Sequence, residues 1–322
     1  MVLMNQIETI GADLGGTKLA VGVVDGQPET LWSNEVPSRG YSQEAVIDLL
    51  AGQINLALEA RPEVRGAGVG IPATLDYERG YAVSTANLDL ENLPVRDLLA
   101  ERVGIPAFID NDANLAMLAE ALFGAAKGTR NALMLTLGTG IGGGIWLNGE
   151  IYRGSSGAGA ELGHTVVEID GVKCHGNCPG YGCIEAYASG TAMARQGNEA
   201  AEREPDSALG RIVASGRTVT GQDVTESARQ GDDTAIGVIN TVAHYLGNAI
   251  VSLTNVFQPE VVVLGGGAMA MGELILEPVR KELLERGLRP NHDAKVVAAQ
   301  LGPAAGMIGG AALARLELEK AT

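Results

Sequence analysis

The chain has 322 residues, a mass of 33.2 kDa, 46% apolar residues and 19% charged residues, so it is long enough for two compact lobes and has a globular composition. Its 45 glycines are about twice the ordinary share, but only 12 prolines and no Gly-X-Y period exclude collagen. The formal net charge of −16 excludes a broad nucleic-acid surface, which needs a basic face. It does not exclude a small anionic ligand held by backbone amides.

Two further classes of protein are disfavoured by the sequence. No stretch approaches ~18 uninterrupted apolar residues, so no membrane span is expected. Met1–Ile10 contains Glu8 and no Lys or Arg, so a secretory signal is not expected either, and a cytoplasmic location is predicted. The three cysteines, Cys174, Cys178 and Cys183, lie within ten residues. An odd cluster in a cytoplasmic chain fits a metal site better than a disulfide framework, with free thiols as the alternative.

Two glycine turns share one pattern, in which an apolar strand precedes the turn and a second strand follows it and ends at an Xaa-Gly hairpin turn. The first is Gly11–Lys18, with its hairpin turn at Gly26, and the second is Gly138–Gly144, with its hairpin turn at Gly149. Gly26 and Gly149 are 123 residues apart, and the Leu-Gly dipeptides of the two turns have the same offset. This spacing predicts an internal duplication and two similar lobes that present their glycine turns to one cleft.

The other predicted elements alternate between strand and helix, which indicates an α/β protein. Helices are expected near residues 45–58, 115–122, 234–257 and 306–319, and strands near 66–71, 105–109 and 261–264. A third glycine turn, Gly265–Gly267, follows the last of these strands and precedes a predicted helix from Ala268. This arrangement suits the close approach of a nucleotide. None of the turns has the P-loop or dinucleotide pattern, so Rossmann-type binding is disfavoured.

A polar run, Asp110–Asn114, follows a predicted strand and precedes a predicted helix. An N-cap role would account for one of its residues, either Asn111 or Asp112. Ligands of α/β proteins bind at the carboxyl ends of strands, so Asp112 is a candidate general base toward a substrate hydroxyl.

A second polar segment leads to the cysteines. Glu161 and His164 are three residues apart, so one helical turn would bring them together. Three thiolates need a fourth ligand for tetrahedral zinc, and both His164 and His175 are candidates. His244 lies on a long apolar helix and is predicted to be a packed core residue. A zinc ion with four protein ligands would be structural and would fix the loop that carries Glu161 and Glu185.

These segments together resemble the ROK family of bacterial sugar kinases and sugar-responsive repressors, whose fold is shared by hexokinase, actin and Hsp70. Six motifs in the family's order carry the resemblance: Asp13–Lys18, Asn111–Asn114, Leu137–Gly142, Glu161–His164, Cys178–Glu185 and Val263–Gly267. The resemblance implies a two-lobed, actin-like ATPase (ribonuclease H-like) fold with an internally duplicated core and an interlobe cleft. The small lobe would comprise residues 1–118 and 303–322, and the large lobe residues 119–302.

The resemblance also implies roles for individual residues. Asp112 would accept the proton of the attacking hydroxyl, and Asp13 would orient Mg²⁺ through water. His164 would serve sugar and zinc with one ring nitrogen each. The sugar would be bound by Asn111, Asp112, Glu161, His164 and Glu185, with Thr85 and Asn87 as further contacts. The nucleotide would be bound by Asp13, Gly15, Gly16, Thr17, Lys18, Gly138, Thr139, Gly140, Gly265, Gly266 and Gly267, and the metal by His164, Cys174, Cys178 and Cys183.

The sequence departs from the family pattern in two places. Three residues separate Cys174 from Cys178, where the family has one, and Pro179 stands in a glycine position. Whether Cys174 or His175 binds zinc therefore stays open. Ala73-Thr74 replaces a glycine of many relatives in a loop that approaches the sugar, so the choice of sugar stays open too.

The function implied is ATP-dependent phosphorylation of the 6-hydroxyl of a hexose, with glucose as the first candidate. An N-acetylhexosamine kinase and a fructokinase are the alternatives. A sugar-responsive repressor is disfavoured, because the Asp13 motif lies too near the start of the sequence to follow a helix-turn-helix domain and because the charge is negative. ATP with Mg²⁺ and a structural Zn²⁺ are the expected cofactors. No nucleic-acid or membrane partner is expected, and a homodimer is implied by the family alone.

Overall fold

The computed structural model describes residues 7–85, 88 and 90–321, and the chain divides into two compact units. Unit 1 comprises residues 1–128, 144–160 and 300–322, and unit 2 comprises residues 129–143 and 161–299. Residues 119–128, 144–160 and 300–302 belong to unit 1 by this division, whereas the sequence prediction assigned them to the large lobe. The segment that begins at Gly144 belongs to unit 1 because it packs on a helix of that unit, where an added Cβ at Gly144 would lie 2.4 Å from the Met117 side chain.

The described chain forms thirteen strands and ten α-helices. The strands are β1 (Thr9–Leu14), β2 (Lys18–Val24), β3 (Thr30–Pro37), β4 (Ala67–Ile71), β5 (Ala73–Asp76), β6 (Tyr81–Thr85), β7 (Glu91–Leu93), β8 (Ala107–Asn111), β9 (Ala132–Leu137), β10 (Ile141–Leu147), β11 (Glu150–Ile151), β12 (Val261–Gly265) and β13 (Lys295–Ala298). The helices are α1 (Gln43–Ala60), α2 (Val95–Val103), α3 (Asp112–Phe123), α4 (Glu185–Ala188), α5 (Gly190–Arg203), α6 (Ala208–Ala214), α7 (Gly221–Arg229), α8 (Asp233–Phe257), α9 (Glu273–Arg286) and α10 (Ala305–Lys320). The predicted α/β class is confirmed.

Each unit is built around strands that are buried on both faces. In unit 1 the sheet order is β3-β2-β1-β4-β8, with β1, β4 and β8 parallel and β2 and β3 antiparallel. A small antiparallel sheet, β5-β6-β7, also belongs to this unit. In unit 2, β9, β12 and β13 are parallel, and β10 begins beside β9. The later part of β10 belongs to unit 1, where it pairs with β11.

The two sheets repeat one plan. The order β3-β2-β1-β4-β8 corresponds position by position to β11-β10-β9-β12-β13. Both ends of β1 and β9, and both ends of β2 and β10, are offset by the same 123 residues. The predicted internal duplication is therefore confirmed. The hairpins differ in detail: Asn148 and Gly149 form a two-residue turn with left-handed backbones, whereas the first loop spans residues 25–29 and is closed by the Asp25 carboxylate.

A close approach of backbones explains many glycines that lie outside the turns. An added Cβ at Gly11 of β1 would lie 1.7 Å from the carbonyl oxygen of Met307, and one at Gly68 of β4 would lie 2.0 Å from that of Gly310. On the other side of α10, an added Cβ at Gly309 would lie 1.9 Å from the carbonyl oxygen of Leu115 in α3. Helix α10 can therefore lie close to both the sheet and α3, because the residues at these contacts have no side chain.

Helix α8 is the one helix of the described residues that is long and apolar enough to cross a membrane by length and composition. Half of its apolar window is buried against the rest of the chain, as in an ordinary core helix. His244 on this helix is exposed, and its Nδ1 lies 2.9 Å from Glu282 Oε1. The prediction of a packed core histidine was wrong, because the buried stripe passes through Val242, Ala243 and Leu246 and leaves His244 on the outer face.

The backbone approach at Gly11 predicts a large loss of stability on adding one methyl group. We expect Gly11→Ala to lower the free energy of unfolding by about 1–3 kcal/mol or more, because helix α10 must move away from β1. Gly52→Ala in α1 is the matched control, since an added Cβ there meets nothing within 4 Å. Urea unfolding should show this control unchanged or more stable, and equal effects of the two substitutions would contradict the packing argument.

Candidate active site

The first glycine turn joins β1 to β2 in unit 1. The amide of Gly15 donates to the Lys18 carbonyl at 2.9 Å, and the fully buried Ser38 binds the turn from the end of β3. The Ser38 hydroxyl donates to the Gly15 carbonyl at 2.7 Å, and its amide donates to the Thr17 carbonyl at 3.1 Å. Lys18 pairs with Glu35 on the neighbouring strand at 2.7 Å. Ser38, which the sequence reasoning missed, fixes the shape of this turn.

Asp13 lies at the end of β1, where the first turn of α10 leaves room for its carboxylate. An added Cβ at Gly306 would lie 2.5 Å from Asp13 Oδ2. Burial raises the pKa of Asp13 to about 7, with a further increase from the charge of Asp112 and an opposing effect of Lys18. Two acidic groups that repel each other beside the first glycine turn would favour a bound cation there.

Asp112 is the first residue of α3, and Asn111 is the N-cap residue of that helix. The Asn111 side-chain oxygen accepts from the amides of Ala113 at 2.9 Å and Asn114 at 3.3 Å. The Asn111 amide group donates to the Ala73 carbonyl at 3.3 Å and so ties the helix start to β5. The predicted N-cap is confirmed at Asn111. The carboxylate of Asp112 is therefore held at a helix N-terminus, where its Oδ1 atom accepts from the Ala113 amide at 2.9 Å.

Thr85 is used within its own loop. Its hydroxyl donates to the Leu88 carbonyl and accepts from the Leu90 amide at 3.3 Å, so this side chain binds the backbone of its own segment. Asn87, the other predicted sugar contact of this segment, lies outside the described residues.

Glu161 and His164 come together in unit 2, as their spacing predicted. A short 3-10 helix, Leu162–His164, places the His164 Nε2 atom 4.0 Å from Glu161 Oε2. The other ring nitrogen, Nδ1, lies 3.6 Å from the Cys174 sulfur. Burial raises the pKa of Glu161, His164 lowers it, and the charge of Glu185 raises it further. The imidazole thus faces the candidate sugar acid with one nitrogen and the thiols with the other.

A tetrahedral metal site fits four side chains of this region. The ligand atoms of His164, Cys174, Cys178 and Cys183 all lie within 4.8 Å of one another. Zinc bonds to sulfur and nitrogen imply a separation of about 3.6 Å between two such ligands, which is the distance from Cys174 Sγ to His164 Nδ1. An added Cβ at Gly180 would meet two of the sulfurs, at 3.2 and 3.4 Å.

The surroundings of this cluster disfavour free, reactive thiolates. Burial raises the pKa of Cys174 and of Cys183, and neighbouring thiols add to the increase for Cys174. A metal ion would supply the positive charge that three thiolates need. His175 is not in the cluster, and its Nδ1 atom is buried with no hydrogen-bond partner among the described residues. The geometry therefore favours Cys174 over His175.

Glu185 connects the metal cluster to the second glycine turn. It is the first residue of α4, and its Oε2 atom accepts from the Ile141 amide at 2.7 Å. Its other oxygen, Oε1, lies 3.8 Å from the Cys174 sulfur. An added Cβ at Gly140 would lie 2.3 Å from this carboxylate, so the glycine makes room for it. A predicted sugar ligand thus also holds a predicted phosphate turn.

The second and third glycine turns line one cavity of unit 2. Its volume is about 870 Å³, and Gly138, Thr139 and Gly267 are among its lining residues. Gly266 has a left-handed backbone and packs against the end of β9, where an added Cβ would lie 2.5 Å from the Leu137 carbonyl oxygen. The predicted helix from Ala268 is a 3-10 helix, Gly267–Met271, and α9 begins only at Glu273. Amides and glycines around a cavity of this size suit a nucleotide.

The sequence reasoning missed the outer wall of this cavity. That wall includes Gly190, Thr191, residues 218–222 and Arg229. Thr191 donates its hydroxyl to the Thr139 carbonyl at 2.8 Å, and the Gly190 amide donates to the Gly138 carbonyl at 2.8 Å. The available signal was the Ser-Gly-Thr start of α5, an N-cap sequence that places these amides at a helix N-terminus.

Comparison with known proteins gives consistent relatives. The sequence model of the ROK family matches residues 9–317. A glucokinase from Streptomyces coelicolor is 36% identical over 314 residues, 95% of this chain and 97% of that protein. A crystal structure of a ROK family glucokinase from Streptomyces griseus in complex with glucose and AMPPNP is 36% identical, with a TM-score of 0.85 over 96% of this chain and 99% of its own. A xylose repressor from Caldicellulosiruptor bescii is 28% identical over 293 residues, 86% of this chain and 70% of the repressor.

The geometry of the cluster predicts about one zinc ion per chain. Metal analysis of the purified protein should find it, and Cys174→Ser should lose the ion together with thermal stability, because three remaining ligands are too few for a structural zinc site. His175→Ala is the matched control and should retain the ion. A zinc content that falls with His175→Ala and not with Cys174→Ser would overturn the ligand assignment.

Proposed function

Because the chain belongs to the ROK family and shares the actin-like fold of its sugar kinases, we propose that it transfers the γ-phosphoryl group of ATP to the 6-hydroxyl of glucose. The observation that carries the proposal is the bond from the Ile141 amide to the Glu185 carboxylate at 2.7 Å. It places a candidate sugar ligand against the turn proposed to hold the phosphates. Phosphoryl transfer needs such proximity, because its catalysis is almost entirely positioning and charge stabilisation.

Asp112 is the proposed general base. Its carboxylate accepts the proton of the sugar 6-hydroxyl as that oxygen forms a bond to the γ-phosphorus, while the bond between this phosphorus and the bridging oxygen of ADP breaks. Asn111, Glu161, His164 and Glu185 bind the other sugar hydroxyls. Hydrogen bonds from charged and amide groups fix the ring so that one hydroxyl faces the base.

The phosphates are bound by backbone amides rather than by a cluster of cations. The turns at Gly15–Thr17 and Gly138–Gly140 supply amide and hydroxyl donors, and Gly265–Gly267 closes the nucleoside end. Asp13 is the proposed carboxylate for Mg²⁺, through water, and the ion when bound neutralises charge on the transferring phosphoryl group. Its largely buried position and its interaction with the charge of Asp112 support this role.

A zinc ion held by His164, Cys174, Cys178 and Cys183 would be structural. The ion would hold the three thiolates and the imidazole together. His164 and Glu185, which both contact Cys174, would keep their orientation for the proposed sugar contacts. A homodimer is a further proposal that rests on the family alone, and the cytoplasmic location stays a prediction from the sequence.

The choice of sugar is the part of the proposal that needs a direct test. ADP release should be measured over glucose, fructose, mannose, N-acetylglucosamine and N-acetylmannosamine, and kcat/KM should be highest for glucose. Preference for an N-acetylated sugar or for fructose would replace glucose in the proposal. No ADP release with any sugar, together with sugar-dependent binding to an operator DNA, would favour a repressor function like that of the similar xylose repressor.

Asp112→Asn should remove phosphoryl transfer and leave glucose binding. We expect kcat to fall about 10²–10⁴-fold, since a general base contributes this much, while calorimetry still detects glucose. Asp97→Asn is the matched control, because Asp97 is the first-turn acid of another helix of unit 1. Near-normal turnover of Asp112→Asn would exclude this residue as the base.

A further inference from the structure

A buried ion pair lies directly before the residues proposed to bind and deprotonate the sugar. Asp110, the penultimate residue of β8, has a side chain that is 2% exposed, and Arg153, which follows β11, has one that is 20% exposed. The Nε and Nη2 atoms of Arg153 both lie 2.7 Å from Asp110 Oδ2. The two residues are 43 positions apart in the chain and belong to the same unit.

The other oxygen of Asp110 organises the start of α3. It accepts from the Asn111 amide at 2.8 Å and from the Asn114 side-chain amide at 3.0 Å. The N-cap residue and the first turn of the helix are therefore bonded to one carboxylate, and Asp112 lies between these two contacts. A shift of Asp110 would carry the backbone of Asp112 with it.

Arg153 is also held by contacts other than the ion pair. Its guanidinium carbon lies 4.0 Å from the centroid of the Tyr77 ring, and the Tyr77 hydroxyl donates to Glu317 of α10 at 3.2 Å. The Arg153 carbonyl accepts from the Gly159 amide at 2.8 Å, which closes the loop that leads to Glu161. A planar cation that is stacked on one side and paired on another has little freedom to move.

We propose that Arg153 and Asp110 are positioning residues for the transfer reaction, acting through Asp112 and through the 153–159 loop. The proposal rests on the proposed function for its kinetic consequences only. Removal of Arg153 leaves a buried carboxylate without its counter-charge. Asp110 then rearranges, and the first turn of α3 loses its fixed position. Small displacements of a reacting group lower kcat strongly, whereas binding of the nucleotide to the cavity of unit 2 is unaffected.

The test compares three variants of the full chain. Arg153→Met should lower kcat about 10²-fold and leave KM for ATP near the wild-type value. Arg153→Lys keeps the charge without the planar fork and should restore part of kcat. Arg79→Met is the matched control: Arg79 also lies over a tyrosine, Tyr81 at 4.4 Å, and pairs with Asp76 at 3.6 Å, but its side chain is 67% exposed. It should have wild-type kinetics.

Hydrogen exchange separates this proposal from the proposed function. In Arg153→Met the amides of residues 111–114 and 153–159 should exchange faster than in the wild type, while Arg79→Met leaves them unchanged. These readouts do not require that the chain be a glucose kinase. A folded Arg153→Met variant with wild-type exchange in these segments, or with wild-type kcat where the wild type is active, would overturn the proposal. If Arg153→Met does not fold, wild-type kcat and exchange in Arg153→Lys would overturn it.

Discussion

The contact on which the site of unit 1 depends is the approach of α10 to the sheet at residues without side chains. Gly11 and Gly68 let the helix backbone lie against β1 and β4, and Gly309 lets α3 lie against its other side. This sandwich decides where two acidic groups stand. Asp13 occupies the space left by Gly306, and Asp112 begins the helix that packs on α10. The packing of α10 against the sheet and α3 therefore sets the positions of the Asp13 and Asp112 carboxylates.

In unit 2 a carboxylate has the corresponding importance. Glu185 contacts the second glycine turn with one oxygen and the thiol cluster with the other. A charge-assisted bond to a backbone amide is strong enough to hold a turn. Glu185 therefore joins the thiol cluster and the second glycine turn into one connected structure. A change at the thiol cluster would therefore also reach the second glycine turn, through Glu185.

Local features were predictable from the sequence, because they repeat or stand next to one another. The duplicated strands, the N-cap of α3 and the pairing of Glu161 with His164 are of this kind. Contacts between distant residues were not predictable. The buried Glu120 accepts from the amides of residues 300 and 301. Nearly every residue has a backbone amide, so the sequence does not indicate which amides will bind this carboxylate. His244 was misassigned because overall apolarity of a helix does not tell which face is buried.

The equal offset of the duplicated strands has a consequence for insertions and deletions. β1 and β2 are separated by three residues, and so are β9 and β10. Because side chains alternate along a strand, a change of one residue in either turn would reverse the faces of the strand that follows. In β2 and β10 that reversal would also move core side chains to the opposite face of the sheet. Two constraints therefore act on the length of each glycine turn: the phosphate proposed to bind there and the alternation of side chains in the strand that follows. A change of length by one residue should be tolerated far less in these turns than a substitution.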